Sequence, residues 1–155
     1  MRMCLIADPS HLARRVAIRV SERLGFHAME VTSADGLRKA FRLFQPALTL
    51  VDEGVAEGNL GALIASLRYG IGGGDRTLVV TGHDRQAPEI EAALIGGADG
   101  FLRKPLSDAA LSIMLQRRDT SEKMAVGQSS GWSQKPRPAA GDTGRGEVIQ
   151  LADWR

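Results

Sequence analysis

Residues Ala47 to Asp52 read Ala-Leu-Thr-Leu-Val-Asp, a short and almost wholly apolar run that stops at a carboxylate. A helix would need about ten or more residues to bury such a stretch, whereas a strand covered on both faces of a parallel sheet needs only a few. The run is therefore read as a central strand with Asp52 at its carboxyl end. In open α/β sheets that edge is where ligands and chemistry collect. An Asp at a strand end also serves as an ordinary helix cap or turn former, so its meaning depends on the neighbouring strand ends.

The rest of the chain alternates strand and helix signals around this run. Met3 to Ala7 is a second buried-strand run closed by Asp8-Pro9-Ser10, and Ser10 can cap a helix reaching about Leu24. That helix carries Leu12, Val16, Val20 and Leu24 on one face, with Arg14, Arg15, Arg19 and Arg23 read as a solvated face. His27 to Thr32 is polar enough for an edge strand. Ser33 opens a helix with Leu37, Ala40, Phe41 and Phe44 inward, stopped by Pro46. Asn59 is read as the cap of a helix bearing Leu60, Leu63, Ile64 and Leu67. Gly70 to Asp75 resembles a dinucleotide-binding loop only in its glycines; a helix precedes it and a strand follows, the reverse of what a phosphate cradle needs, so it reads as a flexible connector. Leu78 to Thr81 is a fourth strand, Pro88 to Ile95 a helix, Phe101 to Arg103 a short fifth strand, and Asp108 to Arg117 a last helix. Strands alternating with helices in this way give a parallel sheet with helices on both faces.

The chain has 155 residues, enough for one domain and a tail. Residues 1–118 are read as the domain and 119–155 as a disordered tail, rich in Ser, Gly and Pro, that closes on a short apolar segment, Val148 to Trp154. Basic and acidic residues number 20 and 18, a balance that does not call for nucleic acid or an anionic membrane. The tail has neither the length nor the periodicity of a helix-turn-helix, so direct DNA binding is not expected. No run approaches the roughly 18 apolar residues of a membrane span, and Cys4 has no partner for an internal disulfide, which suits a soluble cytoplasmic protein. A flavin on this kind of sheet would want a Ser, Thr and Gly cradle after the first strand, where Asp8 places negative charge.

Compared with one another, the strand ends become informative. The first strand finishes at Asp8, the third at Asp52, the fourth at Thr81 and the fifth at Lys104, and the topology sets all of them along one sheet edge. Two carboxylates, a hydroxyl and an ammonium would share one small pocket. At this point the sequence resembles the receiver domain of two-component response regulators, chiefly those of the single-domain, chemotaxis-regulator type. The resemblance spans about Arg2 to Arg118 and is carried by Leu-Ile-Ala-Asp8, Leu-Val-Asp52, Val-Val-Thr81-Gly82 and Gly97-Ala-Asp-Gly-Phe-Leu-Arg-Lys104-Pro105.

The resemblance implies a flavodoxin-like α/β fold with strand order 2-1-3-4-5. It implies that Asp52 takes a phosphoryl group from a histidine kinase or phosphotransfer protein, that Lys104 pairs with the phosphoryl oxygens, and that Thr81 bonds the modified group. Asp8, Asp52 and the backbone carbonyl of Gly54 would offer oxygens to Mg²⁺. The Lys104-Pro105 bond is expected to be cis and to aim the lysine inward, and Phe101 occupies the aromatic switch position, where a plain core aromatic would serve as well. Output would pass by protein contact to a downstream target. The sequence departs from the pattern at Pro9, where a second acid is usual, at Val55-Ala56, where Met-Pro is usual, and at Leu60, where glycine is usual. Pro9 removes a carboxylate and weakens or abolishes the metal site. Glu53 and Glu57 are read as solvated loop residues, and His83 as a rim residue. Two functions follow: a stand-alone phosphorylatable receiver in a phosphorelay, or a pseudo-receiver that binds partners without phosphorylation.

Overall fold

The computed structural model describes residues 1–129. Its elements are β1 (Met3–Ala7), α1 (His11–Arg23), β2 (His27–Val31), α2 (Ala34–Phe44), β3 (Leu48–Asp52), a 3-10 turn (Glu53–Ala56), α3 (Leu60–Arg68), β4 (Thr77–Gly82), α4 (Pro88–Ile95), β5 (Gly100–Arg103) and α5 (Asp108–Ser129). The strands form one parallel sheet in the order β2-β1-β3-β4-β5. This is the flavodoxin-like α/β arrangement expected from the sequence, with the order reversing between β1 and β3.

Strand alternation divides the core into two layers. Leu5, Ala7, Val51, Leu78 and Val80 face one side and pack with Leu37, Phe41, Leu63 and Ile64. Cys4, Ile6, Leu48, Leu50 and Val79 face the other and pack with Ala17, Val20 and Leu111. Every residue of β3 is buried, as a strand covered on both faces requires. Burying a leucine such as Leu50 contributes about 2 kcal/mol, so β3 alone anchors a sizeable part of the fold.

Ser10, Ser33 and Ser107 cap their helices, each hydroxyl accepting a backbone N–H three residues on. Asn59 stands at the start of α3, but its side chain makes no capping bond, contrary to the sequence reading. Two inward faces also differ. Leu12 is 76% exposed and Phe44 is exposed, while Arg14 is buried beside Ala17, Val20 and Ser21. Each of these residues lies in the first or last turn of its helix, and Arg14 is buried because its guanidinium reaches back to the Asp8 carbonyl.

The Gly70–Asp75 connector is tied down. Arg68 donates to the carbonyls of Gly73, Gly74 and Arg76 through Nη1 and to Gly97 through Nε, and its Nη2 pairs with Asp99 at 2.7 Å. Gly73 is buried against the end of α3, where a Cβ would overlap the Leu67 carbonyl oxygen.

Contacts divide the chain into Met1–Asp119, which holds the sheet, and Thr120–Arg155. In the second unit the described residues continue α5 to Ser129, past the Arg117 expected from sequence. Asp119 to Val126 contains no proline or glycine and includes Glu122, Lys123, Met124 and Ala125, all good helix formers, so nothing stops the helix there. The remainder of the expected tail, with Val148 to Trp154, lies outside the described residues. No helix among the described residues is long and apolar enough to cross a membrane.

Candidate phosphoryl-acceptor site

The sheet brings Asp8, Asp52, Thr81 and Lys104 to one edge. Asp52 and Thr81 are register partners on adjacent strands β3 and β4, both buried. Asp8 follows β1, its N–H donating to the Val31 carbonyl at 3.2 Å, and Lys104 follows β5, its N–H donating to the Gly82 carbonyl at 2.8 Å. The ladder hydrogen bonds thus continue just past the strands and fix where both side chains start. The Lys104-Pro105 peptide bond is cis.

Lys104 joins the two acids. Its Nζ lies 2.5 Å from Asp8 Oδ2 and 2.6 Å from Asp52 Oδ1. The three side chains are only 14%, 6% and 10% exposed for Lys104, Asp8 and Asp52, so little water screens the pairing. Burial opposes the charge on Lys104, but hydrogen bonds to Asp52 and Asp8 and their negative charges outweigh it, and its pKa rises above the ordinary lysine value. The other carboxylate oxygens are held by backbone: Asp8 Oδ1 accepts from Ser10 N–H at 2.8 Å and Asp52 Oδ2 from Gly54 N–H at 2.9 Å. Gly54 opens the turn after β3, and its lack of a side chain matters. A Cβ there would sit 3.0 Å from Asp52 Oδ2 and 3.4 Å from Pro9 Cγ.

Three features escaped the sequence reading. Arg14, expected on a solvated face, donates through Nη1 to the Asp8 carbonyl at 2.8 Å and lies 3.8 Å from Glu30 Oε1. Its Nε is buried without a hydrogen-bond partner. Glu53 is not simply a solvated loop residue: it is half-buried and lies over Gly82, where a Cβ would meet its Oε2 at 2.6 Å. Leu12 presents an exposed apolar side chain at the start of α1. Glu57 and His83 are exposed, and Phe101 is partly buried against the α3–α4 side of the core.

Among the described residues no group of three or more His, Cys, Asp and Glu side chains is placed to hold a metal ion. Mg²⁺ asks for less, since it keeps several waters and takes one or two carboxylates, with phosphate oxygens supplying more. Asp8 and Asp52 meet that requirement as a pair, converging within reach of one ammonium. Pro9 adds a saturated ring where a further acid would have added an oxygen.

The same fold recurs in solved structures. The chemotaxis response regulator CheY4 of Vibrio cholerae superposes with a TM-score of 0.67 at 15% identity, over 76% of this chain and 98% of that one. The receiver fold is present here. A CheY-like receiver domain from Methylobacillus flagellatus gives 0.64 at 22% identity, over 76% and 98% of the two chains. The receiver domain of the sensor histidine kinase PA1611 of Pseudomonas aeruginosa, which holds a magnesium ion in its active-site cleft, gives 0.67 at 17% identity, over 75% and 95%. No protein-family model matches the sequence, and no curated protein matches it. At these identities the receiver likeness is one of fold, and the chemistry has to be argued from the site.

Proposed function

We propose that Asp52 accepts a phosphoryl group from a phosphohistidine of a kinase or phosphotransfer protein, or from a small acyl phosphate, and that the protein signals in this way as a response-regulator receiver. The observation that carries this reading is the joining of Asp8, Asp52 and Lys104 by two short ion pairs, with Thr81 in register beside the acceptor. An Asp52 carboxylate oxygen bonds to phosphorus as the bond from phosphorus to the donor's nitrogen or oxygen breaks, and the electron pair leaves with the donor. Lys104 is already in contact with Asp52, so the added negative charge forms beside a fixed cation. The Thr81 hydroxyl donates to a phosphoryl oxygen. Asp8, Asp52 and the Gly54 carbonyl would hold Mg²⁺, which when bound neutralises charge on the transferring group.

The reading also offers an output. A phosphorylated Asp52 draws Thr81, and Phe101 on the adjacent strand adjusts its packing. That biases the face formed by α4, β5 and α5, where Ile95 and Ile113 stand exposed for a downstream protein. Pro9, and a Lys104 that already satisfies both carboxylates, favour a second reading in which the site is a closed structural cluster and the fold binds partners without phosphorylation. Intact-mass measurement separates the two. With Mg²⁺ and acetyl phosphate the full chain gains one phosphoryl group and Asp52→Asn gains none; no gain from acetyl phosphate or from a kinase supports the pseudo-receiver.

A further inference from the structure

A half-open cleft of about 430 Å³ lies between α1 and the β5–α5 connection and reaches Asp8 and Lys104 at one end. Its floor is Ile6 and Leu50, both almost wholly buried, and its α1 wall is Ala13, Val16 and Ala17, with Leu106 on the other side. The space follows from the sequence. Ala13 and Ala17 stand four residues apart on one helix stripe, and their methyl groups do not reach across. What sets this cleft apart from others of similar size on the surface is that its inner end reaches the Asp8–Lys104 pair. Its form is that of a small-molecule site: mostly apolar, with a few polar groups gathered at one end, here Asp8, Thr81, His83 and Lys104.

Charge selects the ligand. At the polar end Asp8 lines the cleft and shares the Lys104 ammonium with Asp52, which does not line it, so the three groups together carry one net negative charge next to the cleft. Arg14, which touches the Asp8 backbone, is offset by Glu30. An anion entering the cavity would meet that residual charge, whereas a monocation would neutralise it. We propose that this cavity binds a small amphiphilic cation, an aryl or branched alkyl body against Ile6 and Leu50 carrying one ammonium group to Asp8. Such a ligand shares Asp8 with Lys104, so its occupancy is linked to whatever changes the charge on Asp52, and the linkage runs equally in both directions. The inference rests on the cleft and on the charge of the metal-free cluster; Mg²⁺ on Asp8 and Asp52 would compete with the ligand's ammonium, so the titration is made without Mg²⁺ and its outcome is separate from that of phosphoryl transfer.

The test is titration of the full chain with phenethylammonium and with phenylacetate, followed by nitrogen–proton NMR correlation spectra. The cation is expected to shift the amides of Ala13, Ala17 and Leu106 saturably, and phenylacetate to bind at least about tenfold more weakly. Ala13→Leu, at a partly exposed position, fills the cavity and should weaken cation binding about tenfold or more. Asp8→Asn, which preserves the volume, should bring the two compounds to similar affinity. No saturable shift with either compound, wild-type binding by Ala13→Leu, or phenylacetate binding as tightly as the cation to the unmodified chain would each overturn the proposal.

Discussion

Replacing Lys104 by methionine removes the cation that touches both Asp8 and Asp52 and leaves an aliphatic chain of similar length. Two carboxylates, each a tenth exposed or less, would then face one another without compensation. Breaking a buried ion pair by deleting one partner costs about 3–5 kcal/mol. The lower end applies, because the cluster sits at the open edge of the sheet and Lys104 keeps 14% of its side-chain exposure. A loss of about 3 kcal/mol lowers the melting temperature by roughly 10 °C and moves the urea midpoint by about 1.5 M. The pH dependence supplies a sharper check. The folded-state pKa of Lys104 is raised above its ordinary 10.5, so its stabilisation is fully present below that value and disappears as pH rises through the folded value. Wild type and variant should differ by a constant amount at neutral pH and converge in strong alkali. A loss below about 1 kcal/mol at neutral pH, or a difference that persists unchanged in alkali, would refute the description of Lys104 as the bridge.

Pro9→Asp restores an oxygen donor and should tighten Mg²⁺ about tenfold in calorimetric titration; unchanged affinity would place residue 9 away from the metal. Burial pushes the Cys4 thiol up to about 12, against a smaller opposing effect of its hydrogen bond with Ser21. Alkylation of the native protein at mildly alkaline pH should therefore be slow and keep pace with unfolding, and fast labelling of the folded chain would contradict this. Gly73→Ala places a methyl group against the Leu67 carbonyl and disturbs the Arg68 contacts, so urea denaturation should show a loss of about 2 kcal/mol, and a neutral result would argue against that packing.

Much of this architecture was legible in the chain. The almost wholly apolar Leu48–Val51 run marked a strand covered on both faces, and Asp8, Asp52, Thr81 and Lys104 could be set on one edge because parallel strands must all point the same way. What escaped depended on three dimensions. Arg14 looked like one arginine among four, and only the folded position of the Asp8 carbonyl distinguishes it from Arg15 or Arg19. The glycines at 70–74 suggested looseness, because the residue that organises them, Arg68, belongs to the preceding helix and acts through backbone carbonyls that no pattern announces. The cavity was equally hidden. Alanines on a helix read as good helix formers, and whether their small size leaves a void depends on the chain opposite.

The most direct test of the central claim locates the phosphoryl group chemically. Full-length protein treated with Mg²⁺ and acetyl phosphate, reduced with borohydride and mapped by peptide mass spectrometry should carry homoserine at position 52 and at no other aspartate. Homoserine at another aspartate, or at none when acetyl phosphate and a histidine kinase have both been tried, would contradict the assignment of Asp52 as the acceptor.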